Sequence, residues 1–137
     1  MSFVLDSSVT LAWLFEDETT PVIEDVFGRI ASEGCFVSPM WYFEIANALS
    51  MAQRYGRIET GLREKYFNRL KGIGIKSDDE SHDCVWAETT RLADAFKLTT
   101  YDASYLELAQ RKLLPLATLD KQLRHAATSL KIPLLGL

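Results

Sequence analysis

Cysteine is nearly missing from this chain, and long apolar runs, linkers, repeats and low-complexity segments are missing altogether. Its two cysteines, Cys35 and Cys84, make neither a CxxC pair nor a disulfide framework. They read as reduced, packed thiols of a cytoplasmic protein. No stretch approaches transmembrane length, so no membrane association is expected. The opening Phe3-Val4-Leu5 is far too short for a secretory leader and runs at once into Asp6. His82 and His125 are not spaced as a metal-binding pair and are expected at the surface. What remains is ordinary for a globular protein: 137 residues, 47% hydrophobic and 25% charged. Residues 1–137 read as a single domain large enough to bury a proper core.

The net charge of −4 is unevenly spread. Residues 1–50 hold eight acids against Arg29 alone, whereas residues 51–76 hold seven bases against Glu59 and Glu64. Acids return over 77–110, and Arg111, Lys112, Lys121, Arg124 and Lys131 follow with Asp120 as the single acid. Such blocks permit a basic surface beside an acidic pocket.

The hydrophobic pattern alternates strand-like and helix-like segments, the signature of an α/β domain with a mostly parallel sheet. Strands are expected at Phe3-Val4-Leu5, Cys35-Phe36-Val37, Ile73-Gly74-Ile75, Leu114 to Thr118 and Ile132 to Leu135, with a brief extended piece at Leu98-Thr99-Thr100. Pro133 places the last strand at an edge. Helices are expected from Ser7 or Ser8 to Phe15, Thr20 to Ser32 with Pro21 in its first turn, Ser38 to Arg54, and Thr60 to Leu70. Three more follow: one opened by the Ser77-to-Glu80 cluster and running to Phe96, one from Asp102 to Lys112, and one from Asp120 to Ser129. Trp13, Trp41 and Trp86 fall on helical patterns as core or interface residues. The bulky Met40-Trp41-Tyr42-Phe43 run suits core packing, an interface between copies, or a groove for a partner helix.

Four short segments set an acid beside an apolar run or a helix start: Phe3-Val4-Leu5-Asp6, Trp41-Tyr42-Phe43-Glu44, Thr99-Thr100-Tyr101-Asp102 and Leu116-Ala117-Thr118-Leu119-Asp120. In open α/β sheets ligands collect at the carboxyl ends of the strands, and all four acids can meet there. Asp102 and Asp120 also suit helix caps. Glu44 escapes that explanation, because Ile45, Ala46, Ala48 and Leu49 surround it with apolar helix. Two carboxylates about 4 Å apart repel by about 4 kcal/mol at an effective dielectric near 20. No Lys or Arg precedes the acid in any of the four segments, so a bound cation is the expected counter-charge. Oxygen donors select a hard ion, Mg²⁺ or Mn²⁺, and the pattern reads as a metal-dependent enzyme acting on phosphates. Ser8 and Thr118, each two residues from an acid, are placed to orient a carboxylate or a metal-bound water, and Asn47 shares the helix face of Glu44.

Asp6-Ser7-Ser8-Val9-Thr10-Leu11-Ala12-Trp13, Glu44 to Leu49, Tyr101 to Ala109 and Leu116 to Leu123 resemble, in order and across essentially the whole chain, the four acidic motifs of the PIN domain. Within it they are similar to the VapC-type toxin ribonucleases of type II toxin–antitoxin pairs. The resemblance implies an α/β/α sandwich around a parallel sheet and Mg²⁺- or Mn²⁺-dependent cleavage of RNA. It also implies a cognate antitoxin and a homodimer. Carried over position by position, it makes Asp6, Glu44, Asp102 and Asp120 the catalytic and metal-binding acids, with Ser8, Asn47 and Thr118 in support. A PIN-like module that binds RNA or protein without cutting has the same sequence features. A receiver domain would need a paired acid near the first strand and a Lys after a late one, and an aspartyl phosphatase would need an acid where Ser8 stands.

Overall fold

The computed structural model describes residues 1–137. Its elements follow in the order β1 (Val4–Leu5), α1 (Ser7–Leu14), α2 (Pro21–Glu33), β2 (Cys35–Val37), α3 (Met40–Arg54), α4 (Leu62–Leu70) and β3 (Ile75–Ser77). Then come α5 (Ser81–Cys84), a π-helical turn over Val85–Thr89, α6 (Thr90–Phe96), α7 (Thr100–Lys112), β4 (Leu116–Ala117), α8 (Lys121–Ser129) and β5 (Leu134–Leu135). The strands form one sheet in the order β3-β2-β1-β4-β5, and every pairing is parallel. Val4 stands between Phe36 and Leu116, which sets the central register.

This strand order dictates the layers. From β1 the chain steps outward to β2 and then β3, and right-handed crossovers put α1 to α4 on one face. It then returns to the other side of β1, so α5 to α8 cover the opposite face and complete an α/β/α sandwich. Both faces of the central strands are thereby sealed: Phe3, Val4, Leu5, Leu116 and Ala117 are wholly buried. The direction of travel reverses between β1 and β4, and the crevice beyond their carboxyl ends is where such sheets bind ligands.

Several expectations move. The third strand lies at Ile75–Ser77, not Ile73–Ile75. Gly74 has φ of 105°, and a Cβ there would stand 3.2 Å from the Ile30 carbonyl oxygen, so the residue turns the chain into the strand. Leu98-Thr99-Thr100 is not a strand: Thr99 caps α7, its hydroxyl accepting from the Asp102 N–H at 3.1 Å. Gly61, at φ of 96°, and not Thr60, precedes α4. The helix expected from the Ser77-to-Glu80 cluster begins at Ser81 and is interrupted by the π turn. Trp86 on that turn is 96% exposed and has no part in the core, whereas Trp41 is buried with its indole N–H on the Thr10 hydroxyl. The Pro133 strand is at the edge, as its sequence requires. Both cysteines are free, and burial pushes the Cys35 thiol up to about 12, which makes it unreactive. No helix is long and apolar enough to cross a membrane.

Candidate active site

Asp6 leaves β1 at the reversal point, held in the sheet by its N–H on the Ala117 carbonyl, and only 3% of it reaches solvent. A carboxylate buried so deeply needs partners, and it finds hydroxyls. Its Oδ2 accepts from Ser8 Oγ at 2.6 Å and from Thr118 Oγ1 at 2.7 Å. The same two oxygens accept backbone protons in turn: Ser8 Oγ from Leu119 N at 2.9 Å, Thr118 Oγ1 from Asp120 N at 3.0 Å. The start of α1 and the exit of β4 are thus stitched together around one carboxylate. Ser8 and Thr118, the two hydroxyls expected beside an acid, both lie on Asp6.

Asp120 is the N-cap of α8 and accepts from the Leu123 N–H through Oδ1 at 2.9 Å. Capping and membership of the acid group coexist, since Oδ2 stays uncommitted. Asp102 sits in the first turn of α7. Glu44 is in the second turn of α3, and its Oε1 accepts from the buried Tyr105 hydroxyl at 2.5 Å. Asn47, on the same helix, is exposed and makes no hydrogen bond to any of the acids.

The charges of these groups feel one another. Burial holds the Asp6 carboxyl above the usual carboxylate range despite its hydroxyl partners, and nearby Asp120 adds to the effect. Burial also raises Glu44; the Tyr105 hydroxyl opposes this, and Asp6 and Asp102 reinforce it. Asp102 is raised by burial, then by Asp6 and Asp120. No ion pair of the protein includes any of the four acids. In this structure the acids stop short of full convergence, because no three carboxylate, imidazole or thiol groups are spaced to hold an ion. The donor chemistry nevertheless suits a hard divalent cation: carboxylate oxygens, one group deeply buried, with neutral hydroxyls beside them, while the nearby Arg124 guanidinium is engaged by the Thr118 and Leu135 carbonyls.

These shifts have a sign that can be tested. Asp6, Glu44 and Asp102 bind protons more tightly in the folded chain than in the unfolded one. Their contribution to stability is therefore complete below the ordinary carboxylate range, about pH 4, and is lost as pH rises through their elevated folded values. In EDTA the melting temperature should climb as pH is lowered from 7.5 toward 5. Below about pH 4 the opposite effect takes over, as Asp78 and Glu33, both held below the ordinary range, lose their folded-state advantage. A melting temperature that falls steadily between pH 7.5 and 5 would contradict the crowding of these acids.

Two features escaped the sequence reading. Tyr105 lies within a segment already of interest, but its contact with Glu44 spans 61 positions. The basic block 51–76 is also less free than its composition suggests. Arg57 pairs with Asp17 and Glu18 and lies over the Phe15 ring at 3.9 Å, so much of its charge is spent within the fold. The Met40-to-Phe43 run divides: Trp41 is buried, whereas Phe43 is 73% exposed. Tyr42, half exposed, edges a hollow of about 400 Å³ with Ile45, Phe67, Leu70 and Ile75.

A family model described as PIN domain matches residues 3–128. No curated protein matches the chain. Among solved structures, PAE2754 from Pyrobaculum aerophilum superposes with a TM-score of 0.68 at 20% identity, over 92% of this chain and 84% of that one. VapBC2 from Rickettsia felis, bound to a DNA fragment from its promoter, gives 0.68 at 9% identity over 98% and 97% of the two chains. FitAcB from Neisseria gonorrhoeae gives 0.66 at 17% identity over 99% and 97%. At these identities the likeness is one of fold.

Proposed function

The chain belongs to the PIN domain family, and we propose that it is a Mg²⁺- or Mn²⁺-dependent endoribonuclease, the toxin of a type II toxin–antitoxin pair acting in the cytoplasm. The observation that carries this reading is a group of four acids at the sheet's reversal point, in which Asp6, Glu44 and Asp102 are each raised by burial and by another acid of the group, braced by hydroxyls and backbone N–H groups and ion-paired with no cation of the protein. The four motif resemblances and the names VapBC2 and FitAcB among the superposing structures support the toxin assignment.

Asp6, Glu44, Asp102 and Asp120 are the residues that would hold the ion. Bound there, a divalent cation would supply Lewis-acid stabilisation of charge on the scissile phosphate and a lower pKa for an attacking water. The chain's own part is preorganisation. Ser8 and Thr118 fix both the position and the rotamer of Asp6. The α8 N-terminus fixes Asp120, and Tyr105 reaches Glu44. A free carboxylate oxygen on Glu44, Asp102 or Asp120 is available to orient the water.

A homodimer and a cognate antitoxin complete the proposal. Exposed Phe43 and the hollow beside Tyr42 offer apolar surface to one of them, and a basic antitoxin side chain entering the acid cluster would replace the cation's charge. The test is cleavage of end-labelled single-stranded RNA by the purified chain. Mg²⁺ and Mn²⁺ should each support cutting, and EDTA should stop it. Activity undiminished in EDTA would overturn the metal assignment. Saturable RNA binding with no cutting under any metal would replace the nuclease with a binding module.

A further inference from the structure

Tyr105 is wholly buried in α7, yet its hydroxyl is aimed across the interior at a carboxylate of another helix. It stands three residues after Asp102, so one face of α7 delivers both the acid and the phenol to the same place. The neighbouring Ser104 meets Ser38, just beyond β2, in a hydroxyl pair at 2.6 Å, which sets the register of α7 against the segment leading into α3. Glu44 is otherwise poorly restrained. It has three side-chain torsions, is only half buried, and its one close hydrogen bond, at 2.5 Å, is to Tyr105, with the Ser7 hydroxyl a weaker neighbour.

We propose that Tyr105 is the positioning residue for Glu44, fixing that carboxylate so that Oε2 faces the acid cluster and joins Asp6 and Asp102 in holding a divalent cation. The inference rests on the metal-nuclease reading above. The phenol has one proton and gives it to Oε1 at 2.5 Å. The second oxygen, Oε2, is not engaged by the phenol, and the Ser7 hydroxyl lies close to the same carboxylate. A phenol ring locked by packing brings little conformational freedom of its own, so its hydroxyl is a rigid reference point. Partners of this kind behind a ligand commonly change metal affinity or activity by about 10–100-fold when removed. A tyrosine that merely satisfied its own buried hydroxyl would show no such link.

The experiment compares the full chain with Tyr105→Phe, Glu44→Gln and the double variant, using Mn²⁺ binding by calorimetry and RNA cleavage, all well below each variant's melting temperature. Tyr105→Phe is expected to weaken Mn²⁺ binding at least tenfold and to lower kcat with KM for RNA nearly unchanged. In the Glu44→Gln background the same change should have little further effect, because the residue acts only through Glu44. Equal Mn²⁺ affinity and kcat in parent and Tyr105→Phe would overturn the proposal, as would losses that simply add in the double variant. Should the phenylalanine variant fail to fold, 3-fluorotyrosine at position 105 alters the phenol's acidity at nearly constant volume. A shift in Mn²⁺ affinity is then expected, and no shift overturns the inference. A parent chain that neither binds Mn²⁺ nor cuts RNA would defeat the nuclease reading itself, an outcome distinct from failure of the tyrosine's role alone.

Discussion

Asp6→Asn should reduce metal-dependent RNA cleavage by about three orders of magnitude while leaving the ion-free protein as stable as the parent or more so. The expected loss is of the size seen when one preorganised electrostatic group is removed from a reacting centre. The stability half distinguishes this account from simple damage. Asparagine keeps the shape of aspartate, and its carbonyl oxygen can accept from the same Ser8 and Thr118 hydroxyls. What disappears is a buried negative charge that Asp120 already opposes and that itself raises Glu44 and Asp102. Asp102→Asn should behave alike. Thermal melts in EDTA set against cleavage rates in Mn²⁺ make the comparison. A variant that cuts at the parental rate would remove Asp6 from the site.

Arg111→Ala should be among the most destabilising single substitutions in this chain, although Arg111 lies outside the acid cluster. Its guanidinium reaches Asp78 at 2.6 Å and Glu107 at 2.8 Å, and those two side chains are 1% and 2% exposed. Burial pushes the Asp78 carboxyl up, and Arg111 together with the Ser81 hydroxyl more than reverses it. Removing the arginine would leave the buried Glu107 without a cation and Asp78 with only Lys112 at 4.0 Å and the Ser81 hydroxyl, and breaking a buried pair in this way costs about 3–5 kcal/mol. Against a total stability of roughly 5–15 kcal/mol, this corresponds to a fall in melting temperature of about 10–20 °C. Replacing Arg111, Asp78 and Glu107 together by Met, Leu and Leu should recover much of the loss, because the charges then leave together. A single Arg111→Ala variant melting within 2 °C of the parent would show that the network carries little of the load.

The placement of the acids was readable in the sequence where a local rule and a chemical one coincide. Asp6 and Asp120 each follow a short apolar strand and open a helix, so strand periodicity and cap chemistry place both at the carboxyl edge of a parallel sheet. Glu44 stood out because nothing local excuses a carboxylate on that face of α3. Strand β3 moved because Gly74 is needed at a positive φ beside the Ile30 carbonyl, a tertiary demand that outweighs the β-branched residues flanking it. The bridge between Asp78 and Arg111 joins residues 33 positions apart, and that between Tyr105 and Glu44 joins residues 61 apart. No periodicity encodes such pairings. Asn47 shares the helix face of Glu44 and is exposed to solvent. Trp86 sits on a helical pattern, yet the π turn carries it into solvent.

The central claim is that Asp6, Glu44, Asp102 and Asp120 together hold a divalent cation. Anomalous scattering from crystals soaked in Mn²⁺ tests it without reference to any substrate. A peak is expected beyond the carboxyl ends of β1 and β4, with oxygens of Asp6 and of at least one other of these acids within about 2.5 Å. The peak should vanish in Asp6→Asn. A site empty at millimolar Mn²⁺, or a peak lying instead on Asp78 and Glu80, would contradict the claim.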